Sequence, residues 1–261
     1  MVSIDKEPKV LEEEAYSFLY QERFDEAFNL FKRAGDIYKN KGNHKQAAIC
    51  LAAAGSSWSI KSGEKTFYNS ASSYEEAAKE AERAGDFEYA SVLYKYAVIN
   101  YERDMEFINF SECFYRSKES YRKFLTYLLA SPKKIHRIEK TEEEKGLMGF
   151  LKRIFSWLAL TFSWAIWGHG ERPLRTLYAG AIIIILSAYL HTFGYLLCNG
   201  VSARPNFFQS LYFSVITFST VGYGDITPLG FSKIVAMFDA LCGMFVVSLF
   251  IIGLSRKYLR I

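Results

Sequence analysis

The chain has 261 residues, a formal net charge of +4 and four scattered cysteines. The small net charge, without a zinc-finger, basic-helix or RNA-binding signature, argues against a nucleic-acid partner, and the cysteine spacing argues against a disulfide framework or metal site. Residues 1–145 hold 23 Lys and Arg against 25 Asp and Glu, whereas residues 146–261 hold 9 against 3. We therefore predict a soluble first part and a membrane-embedded second part.

Residues 1–130 are predicted to form a stack of helices, because alanines and large apolar residues recur there at three- and four-residue spacing. Several glycines are expected to mark helix ends, among them Gly35, Gly42, Gly55 and Gly85. No catalytic constellation occurs in this part, so we predict that the protein is not an enzyme.

An internal repeat supports the stacking. The segment FDEAFNLFKRAGD, residues 24–36, aligns with YEEAAKEAERAGD, residues 74–86, and six of the thirteen positions are identical. Helix pairs that bury alanine and aromatic stripes against one another form α-solenoids. These segments resemble tetratricopeptide-like repeats, and most of all the helical repeats of the soluble attachment proteins of membrane fusion. The start of the chain, MVSIDKEPKV, is charged and has no apolar signal region, so the domain is expected to stay in the cytoplasm. Its expected partner is an unknown protein or ligand, and a generic helical bundle is the alternative fold.

Two segments connect this domain to the membrane part. Residues 131–145 are predicted to be a charged linker, and residues 146–173 an amphipathic segment lying at the membrane interface. The uncharged run in the latter, Ile154–Trp167, has 14 residues and three tryptophans, whereas a membrane span needs about 20 residues. An extra transmembrane helix is the alternative, but it would move the charged domain to the other side of the membrane.

Two long apolar runs predict membrane spans, an outer helix at 174–197 and an inner helix at 234–254. Basic residues precede the outer helix and follow the inner helix: Arg172, Arg175, Arg256, Lys257 and Arg260. Because positive charge favours the cytoplasmic side, we predict a multi-pass protein of the cell membrane with both termini in the cytoplasm.

Between the spans, residues 206–219 are predicted to form a short apolar helix. Such a helix cannot cross the bilayer and must be buried by protein or line a water-filled cavity, as a re-entrant pore helix does. The sequence TVGYGD follows at residues 220–225, before the second span. In this frame the motif resembles the selectivity filter of prokaryotic two-span potassium channels.

The resemblance implies that K+ is bound by backbone carbonyls. The implied filter consists of Thr220, Val221, Gly222, Tyr223 and Gly224. The ion is held by the backbone carbonyls of the first four residues and by the Thr220 hydroxyl. The two glycines permit backbone conformations that other residues resist. One chain supplies only one wall of the ion path, so the resemblance implies a homotetramer with four-fold symmetry. It implies K+ as the permeant ion and no cofactor.

Residues around the filter have implied roles as well. Tyr212 and Phe213 occupy positions that commonly form an aromatic cuff, and Asp225 lies at the pore mouth, where it concentrates cations. Some relatives place a Glu that pairs with this Asp four residues before the filter Thr. That position is Ile216 in this chain, so behaviour tied to such a pair is not expected.

The inner span contains candidate gating residues. Gly243 is either a gating hinge or a site of close helix packing. Met244, Val247 and Ile251 share one helix face and are candidates for lining the cavity and a hydrophobic gate. Asp239 either tunes the cavity potential or pairs with a hydroxyl group behind the filter; the second reading is favoured here.

Three further polar residues lie near the ends of the outer span. His191 is expected to be a hydrogen-bonded structural residue, and His169 a solvated one rather than a pH sensor. Glu171 is expected to anchor the chain at the lipid headgroups together with the neighbouring arginines.

The sequence thus predicts an all-α protein: a cytoplasmic α-solenoid, an interfacial helix and a tetrameric two-span pore domain with a re-entrant pore helix. The predicted function is a potassium-selective channel subunit, with gating entering through the N-terminal domain. The alternatives are a non-selective cation channel, which the filter tyrosine disfavours, and a membrane-anchored helical-repeat adaptor, which an intact filter disfavours.

Overall fold

A computed structural model describes residues 7–60, 66–130, 147–198 and 200–258. The predicted charged linker, 131–145, lies outside the described residues. The chain divides into two compact units, Met1–Thr161 and Phe162–Ile261, and each is described by itself below.

The first unit is helical throughout its described part. Six helices follow one another along the chain: α1 (Pro8–Tyr20), α2 (Phe24–Asn40), α3 (His44–Ile60), α4 (Thr66–Arg83), α5 (Phe87–Arg103) and α6 (Phe107–Ala130). Each of the first five packs extensively against the next of the six. A seventh helix, α7 (Leu147–Trp167), contains the division between the units. Packing between consecutive helices is what a stack requires, whereas the assignment to a repeat family stays a prediction.

Alanines bring these helices close together. The largest core cluster of this unit is rich in fully buried alanines from α3, α4 and α5, such as Ala71, Ala77 and Ala97, and the large side chains of Leu93 and Tyr94 fill the space between them. Small side chains at the contacts allow a short distance between helix axes, and the larger ones restore packing density. The alanines and large apolar residues of the amphipathic pattern therefore form the core of the unit.

Two buried polar side chains of this unit, Glu80 and Tyr101, have well-defined partners. Glu80 is 1% exposed, and its carboxylate lies 2.7 Å from Nδ1 of His44 on α3 and also pairs with Arg83. Tyr101 donates its hydroxyl to Glu75 across α4 and α5 at 2.9 Å. Burial and the neighbouring Glu75 carboxylate raise the pKa of Tyr101, so the phenol stays protonated and keeps donating.

The two copies of the internal repeat end differently, which corrects the expectation that each glycine marks a helix end. Gly85 lies in a turn with φ of +77°, and Asp86 then caps α5 by accepting the amide of Tyr89 at 3.1 Å. Gly35 instead lies inside α2, where an added Cβ would come within 2.8 Å of Leu51 Cγ. Gly55 is likewise internal to α3. These two glycines serve close packing and not termination.

The second unit combines helices with a small sheet. After a 3-10 turn at Gly168–Gly170, its elements are α8 (Pro173–His191), β1 (Tyr195–Cys198), β2 (Val201–Ala203), α9 (Phe207–Phe218), β3 (Ile226–Leu229) and α10 (Phe231–Tyr258). The strands form an antiparallel sheet in the order β2-β1-β3. Among the described helices, α8 and α10 are long and apolar enough to cross a membrane, by length and composition.

The predominantly helical fold agrees with the prediction, but two boundaries and the sheet differ from it. The outer helix, predicted at 174–197, ends at His191, and residues 195–198 form β1. Gly194, between α8 and β1, packs tightly against Ser232. The predicted helix is too long because the residues of β1 are also apolar and hydropathy does not separate them from the helix. The inner helix, predicted at 234–254, runs from Phe231 to Tyr258.

We expect Ala77→Leu to destabilise the first unit by about 1–3 kcal/mol, because Ala77 is fully buried between helices and the core has no room for the added atoms. Ala84→Leu is the matched control, since Ala84 is exposed. Thermal unfolding of the purified full chain, followed by circular dichroism, measures both. Equal melting temperatures for the two variants would contradict the packing described above.

Candidate functional site

The short helix α9 begins with a complete capping box. The Asn206 side chain accepts the Gln209 amide at 2.8 Å, and the Gln209 side chain accepts the Asn206 amide at 3.1 Å. At the other end, the Ser219 hydroxyl donates to the Val215 carbonyl at 2.7 Å. Predicted at 206–219, the helix runs from Phe207 to Phe218. These bonds fix both ends of the helix that precedes the TVGYG motif.

The backbone of the motif alternates in conformation. Thr220, Gly222 and Gly224 have left-handed φ values of +59°, +52° and +79°, whereas Val221 and Tyr223 between them do not. For Thr220 the left-handed region costs about 1–2 kcal/mol, which glycine avoids. The glycines at the second and third left-handed positions therefore match a backbone requirement of this segment.

Hydrogen bonds tie the start of the motif to the end of α9. The carbonyl of Ile216 accepts the amides of both Val221 and Gly222, at 3.0 and 3.1 Å, and the Thr220 amide donates to the Thr217 carbonyl at 3.0 Å. These bonds offset the strain at Thr220. The motif follows any displacement of the last turn of α9, because its amides are bound to that turn.

Tyr212 and Phe213, predicted together as an aromatic cuff, have different surroundings. Phe213 is buried beside Leu196 and Ile216. Tyr212 is 42% exposed, and its hydroxyl donates to Oδ2 of Asp225 at 2.9 Å. This bond is not apparent from the sequence, because the two residues are thirteen positions apart. Tyr212 lies one helical turn before Ile216, so the Asp at the end of the motif keeps a partner on α9 although the expected Glu position holds an isoleucine.

The small sheet holds the segment that follows the motif. Strand β3 begins directly after Asp225 and pairs with β1 in the register Cys198 to Ile226 and Tyr195 to Leu229. Leu196 of β1 is buried against α9. The outer end of the motif is therefore linked through backbone hydrogen bonds to the strand that follows α8.

In the single chain, all five residues of the motif are exposed. The Val221 side chain is 53% exposed and the Tyr223 side chain 72%. One face of α10 is also uncovered, and the three candidate cavity residues lie on it: Met244, Val247 and Ile251. Contiguous apolar surface of this kind requires covering by lipid or by further copies of the chain.

Gly243 packs against the backbone of α9. An added Cβ would overlap the carbonyl oxygen of Phe218 and lie 2.7 Å from its carbonyl carbon. Gly180 on α8 meets the same residue, because its added Cβ would lie 3.3 Å from the Phe218 ring and from Val246. Of the two readings of Gly243, close helix packing therefore has direct geometric support.

The turn before α8 corrects two expectations. His169 is 5% exposed and not solvated, with Nδ1 3.1 Å from the Ser163 hydroxyl. Glu171 is 2% exposed and pairs with Arg256, near the end of α10, at 3.0 Å. Sequence reasoning placed Glu171 at the headgroups because its partner lies 85 positions further along the chain, a distance that no local pattern reveals.

His191 and Asp239 are buried within the unit. His191 is fully buried with its ring edge against Phe213, 5.0 Å between centroids, and neither ring nitrogen is hydrogen-bonded to a described residue, contrary to expectation. Asp239 is 1% exposed, and the hydroxyls of Ser187 and Ser214 face it from α8 and α9. A hydroxyl neighbour was the favoured reading for Asp239.

Comparison with known proteins places these elements in a wider group. Residues 180–259 match the family model described as "Ion channel". The inward rectifier potassium channel Kirbac3.1 of Paramagnetospirillum magnetotacticum is 35% identical over 89 residues, which cover 33% of this chain and 27% of that protein. The chain therefore spans about a quarter of the length of this curated relative. No solved structure matches the chain.

These matches and the two apolar helices support an ion channel of the prokaryotic two-span type, located in a membrane. The matched range contains the TVGYG motif, the part of α8 from residue 180, the helices α9 and α10 and the buried Asp239. Channel families act as oligomers around an ion path, so the matches also favour an oligomeric assembly and a protein that is not an enzyme.

We expect Gly243→Ala to destabilise the second unit by about 1–3 kcal/mol and to reduce ion flux, because the new methyl group collides with the Phe218 carbonyl. Gly253→Ala on the same helix is the control, since its added Cβ would lie 3.4 Å from Pro173, an ordinary contact. Thermal stability in detergent and flux in liposomes measure both. Normal stability with altered opening would favour a hinge instead of a packing role.

Proposed function

We propose that the chain is a subunit of a potassium-selective channel that conducts K+ passively across the membrane. The observation that carries the proposal is the alternating left-handed backbone at Thr220, Gly222 and Gly224, directly after a short apolar helix. A K+ ion that enters a narrow pore loses water and needs replacement oxygens. The carbonyls of Thr220, Val221, Gly222 and Tyr223, with the Thr220 hydroxyl, supply them.

The hydrogen bonds behind the motif support this use of the carbonyls. No described peptide bond is cis, and in a trans peptide the N–H and C=O groups point in opposite directions. The amides of Val221 and Gly222 point to Ile216. The carbonyls of Thr220 and Val221 therefore point away from α9, toward the exposed side where an ion path would run.

Electrostatics at the end of α9 favour a cation. The C-terminus of a helix carries roughly half a negative charge, and α9 ends at Phe218, two residues before the motif. Asp225 adds a full negative charge at the outer end and is held by Tyr212. An anion would be repelled at both places.

A single copy supplies one wall of the ion path, so the proposed assembly is a homotetramer around a four-fold axis. The exposed apolar surface of α10 and the exposed Tyr223 ring support further copies as neighbours. Arg172 and Arg175 at the start of α8, with Arg256 and Lys257 at the end of α10, favour cytoplasmic placement of both ends of the pore segment.

Flux through liposomes that contain the purified chain tests the function. We expect K+ flux well above Na+ flux, because replacement of the K+ hydration shell by carbonyl oxygens discriminates between the two ions. Gly222→Ala, at a φ of +52°, is expected to abolish selective flux because alanine resists that conformation. Gly253→Ala serves again as the control.

Other outcomes of this experiment identify the alternatives. Equal K+ and Na+ flux would indicate a non-selective cation channel. Absence of flux from a folded, membrane-inserted protein would favour a membrane-anchored adaptor.

Gating is proposed to enter through the N-terminal domain. The support is the order of the domains, since the helices of residues 1–130 precede α7 and the pore segment in the chain. We expect removal of residues 1–130 to change the open probability in single-channel recordings. Size-exclusion chromatography checks that the shortened channel keeps its assembly. Unchanged open probability under all applied stimuli would contradict this role.

A further inference from the structure

A row of buried polar side chains lies between the three helices of the pore segment. Ser187 and His191 belong to α8, Ser214 to α9 and Asp239 to α10, and all four are at most 7% exposed. Ser187 and His191 are one helical turn apart, so they share a face of α8. We call these four residues the polar cluster.

Contacts place the members side by side. The hydroxyls of Ser187 on α8 and Ser214 on α9 lie close to the Asp239 carboxylate, but neither forms a hydrogen bond of good distance and angle with it. The His191 ring meets Phe213, the residue before Ser214, with 5.0 Å between ring centroids. The polar cluster therefore lies where α8, α9 and α10 approach one another.

Most polar atoms of the cluster lack a hydrogen-bond partner in the described part of the chain. They are both carboxylate oxygens of Asp239, both ring nitrogens of His191 and the hydroxyl of Ser214. A buried polar group without a partner costs about 1–3 kcal/mol, and an unpaired buried carboxylate costs more. Asp239 and Ser214 lie together, and His191 lies on the same face of α8 as Ser187, so these groups converge between the three helices and indicate a partner that is not a side chain.

Ordered water fits this set of groups best. A buried water makes about three hydrogen bonds, and the cluster offers acceptors on Asp239 and groups that both donate and accept on Ser187, Ser214 and His191. A bound cation is a poorer fit, because one carboxylate and two hydroxyls give it few oxygens and the imidazole competes.

A short series of contacts connects the polar cluster to the TVGYG motif. Ser214 lies one helical turn before Phe218, whose carbonyl abuts Gly243, one turn after Asp239 on α10. Between them, the carbonyl of Ile216 holds the amides of Val221 and Gly222. A change at Asp239 therefore acts on the turn of α9 that positions the motif.

We propose that the polar cluster is a hydrated pocket behind α9 and that Asp239 is a positioning residue for the selectivity filter. Water held by Asp239 links α10 to Ser187 and Ser214, and this link keeps the last turn of α9 in place. The positioning role rests on the proposed potassium selectivity, whereas hydration of the pocket does not.

Radiolytic hydroxyl-radical labelling of the full chain in membranes tests the hydration. Radicals formed from bound water label nearby reactive side chains even when bulk solvent does not reach them. We expect labelling of His191 and Phe213 in the wild type and its loss in Asp239→Leu. Phe31, 1% exposed in the first unit, is the internal control for a buried ring. Labelling of His191 no higher than that of Phe31 would overturn the hydrated pocket.

Ion selectivity tests the positioning role. We expect Asp239→Ala to lower the ratio of K+ to Na+ permeability by about tenfold, the effect of losing roughly 1.4 kcal/mol of a buried hydrogen-bond link. Asp239→Asn keeps the shape and the hydrogen-bonding capacity, so it is expected to restore a ratio close to wild type. Thr176→Val is the matched control, because Thr176 is fully buried on α8 and its hydroxyl also lacks a partner among the described residues.

Size-exclusion chromatography and circular dichroism confirm that each variant is folded before its flux is compared. An unchanged ratio in Asp239→Ala, or an equal loss in Thr176→Val, would overturn the positioning role. If the wild type itself does not discriminate between K+ and Na+, the proposed function fails. Labelling still decides hydration in that case, and total cation flux in Asp239→Ala against Thr176→Val decides positioning.

Discussion

The close approach of α10 to the end of α9 is the contact on which the second unit depends. Gly243 allows the α10 backbone to touch the Phe218 carbonyl, and Gly180 allows α8 to meet the Phe218 ring. Both contacts converge on the residue that ends α9, two positions before Thr220. The position of the TVGYG motif therefore depends on helix packing, and a side chain at Gly243 would collide with the backbone at the end of α9.

Small residues allow close helix packing in both units, but the partners of the buried carboxylates differ between them. In the first unit, alanines bring the helices together, and the buried Glu80 is paired with His44 and Arg83. In the second, Glu171 is paired with Arg256, whereas Asp239 has hydroxyl neighbours in place of a cation. A buried carboxylate without an opposite charge is costly, so its retention points to a role that an apolar residue could not fill.

Local patterns in the sequence predicted the helices and the motif, but not the contacts that orient them. The pore helix was predicted at 206–219 and runs from Phe207 to Phe218, because capping residues and apolar periodicity are local signals. The outer helix was extended past His191 because an apolar strand and an apolar helix have the same hydropathy. The burial of Glu171 and the bond from Tyr212 to Asp225 depend on residues brought together only by the fold.

The motif does not determine its own conformation. Gly222 and Gly224 make left-handed backbone accessible, but Thr220 adopts it as well and gains nothing from its side chain in doing so. The bonds from Thr220, Val221 and Gly222 to the last turn of α9 supply what the residue types lack. Gly243 contacts that turn at Phe218, and Asp239 lies beside Ser214 one turn earlier. Under the proposed function, the residues that shape the ion path therefore include some that never touch it. In the proposed channel, ion selectivity is then a property of the packing behind the motif as much as of the five residues within it.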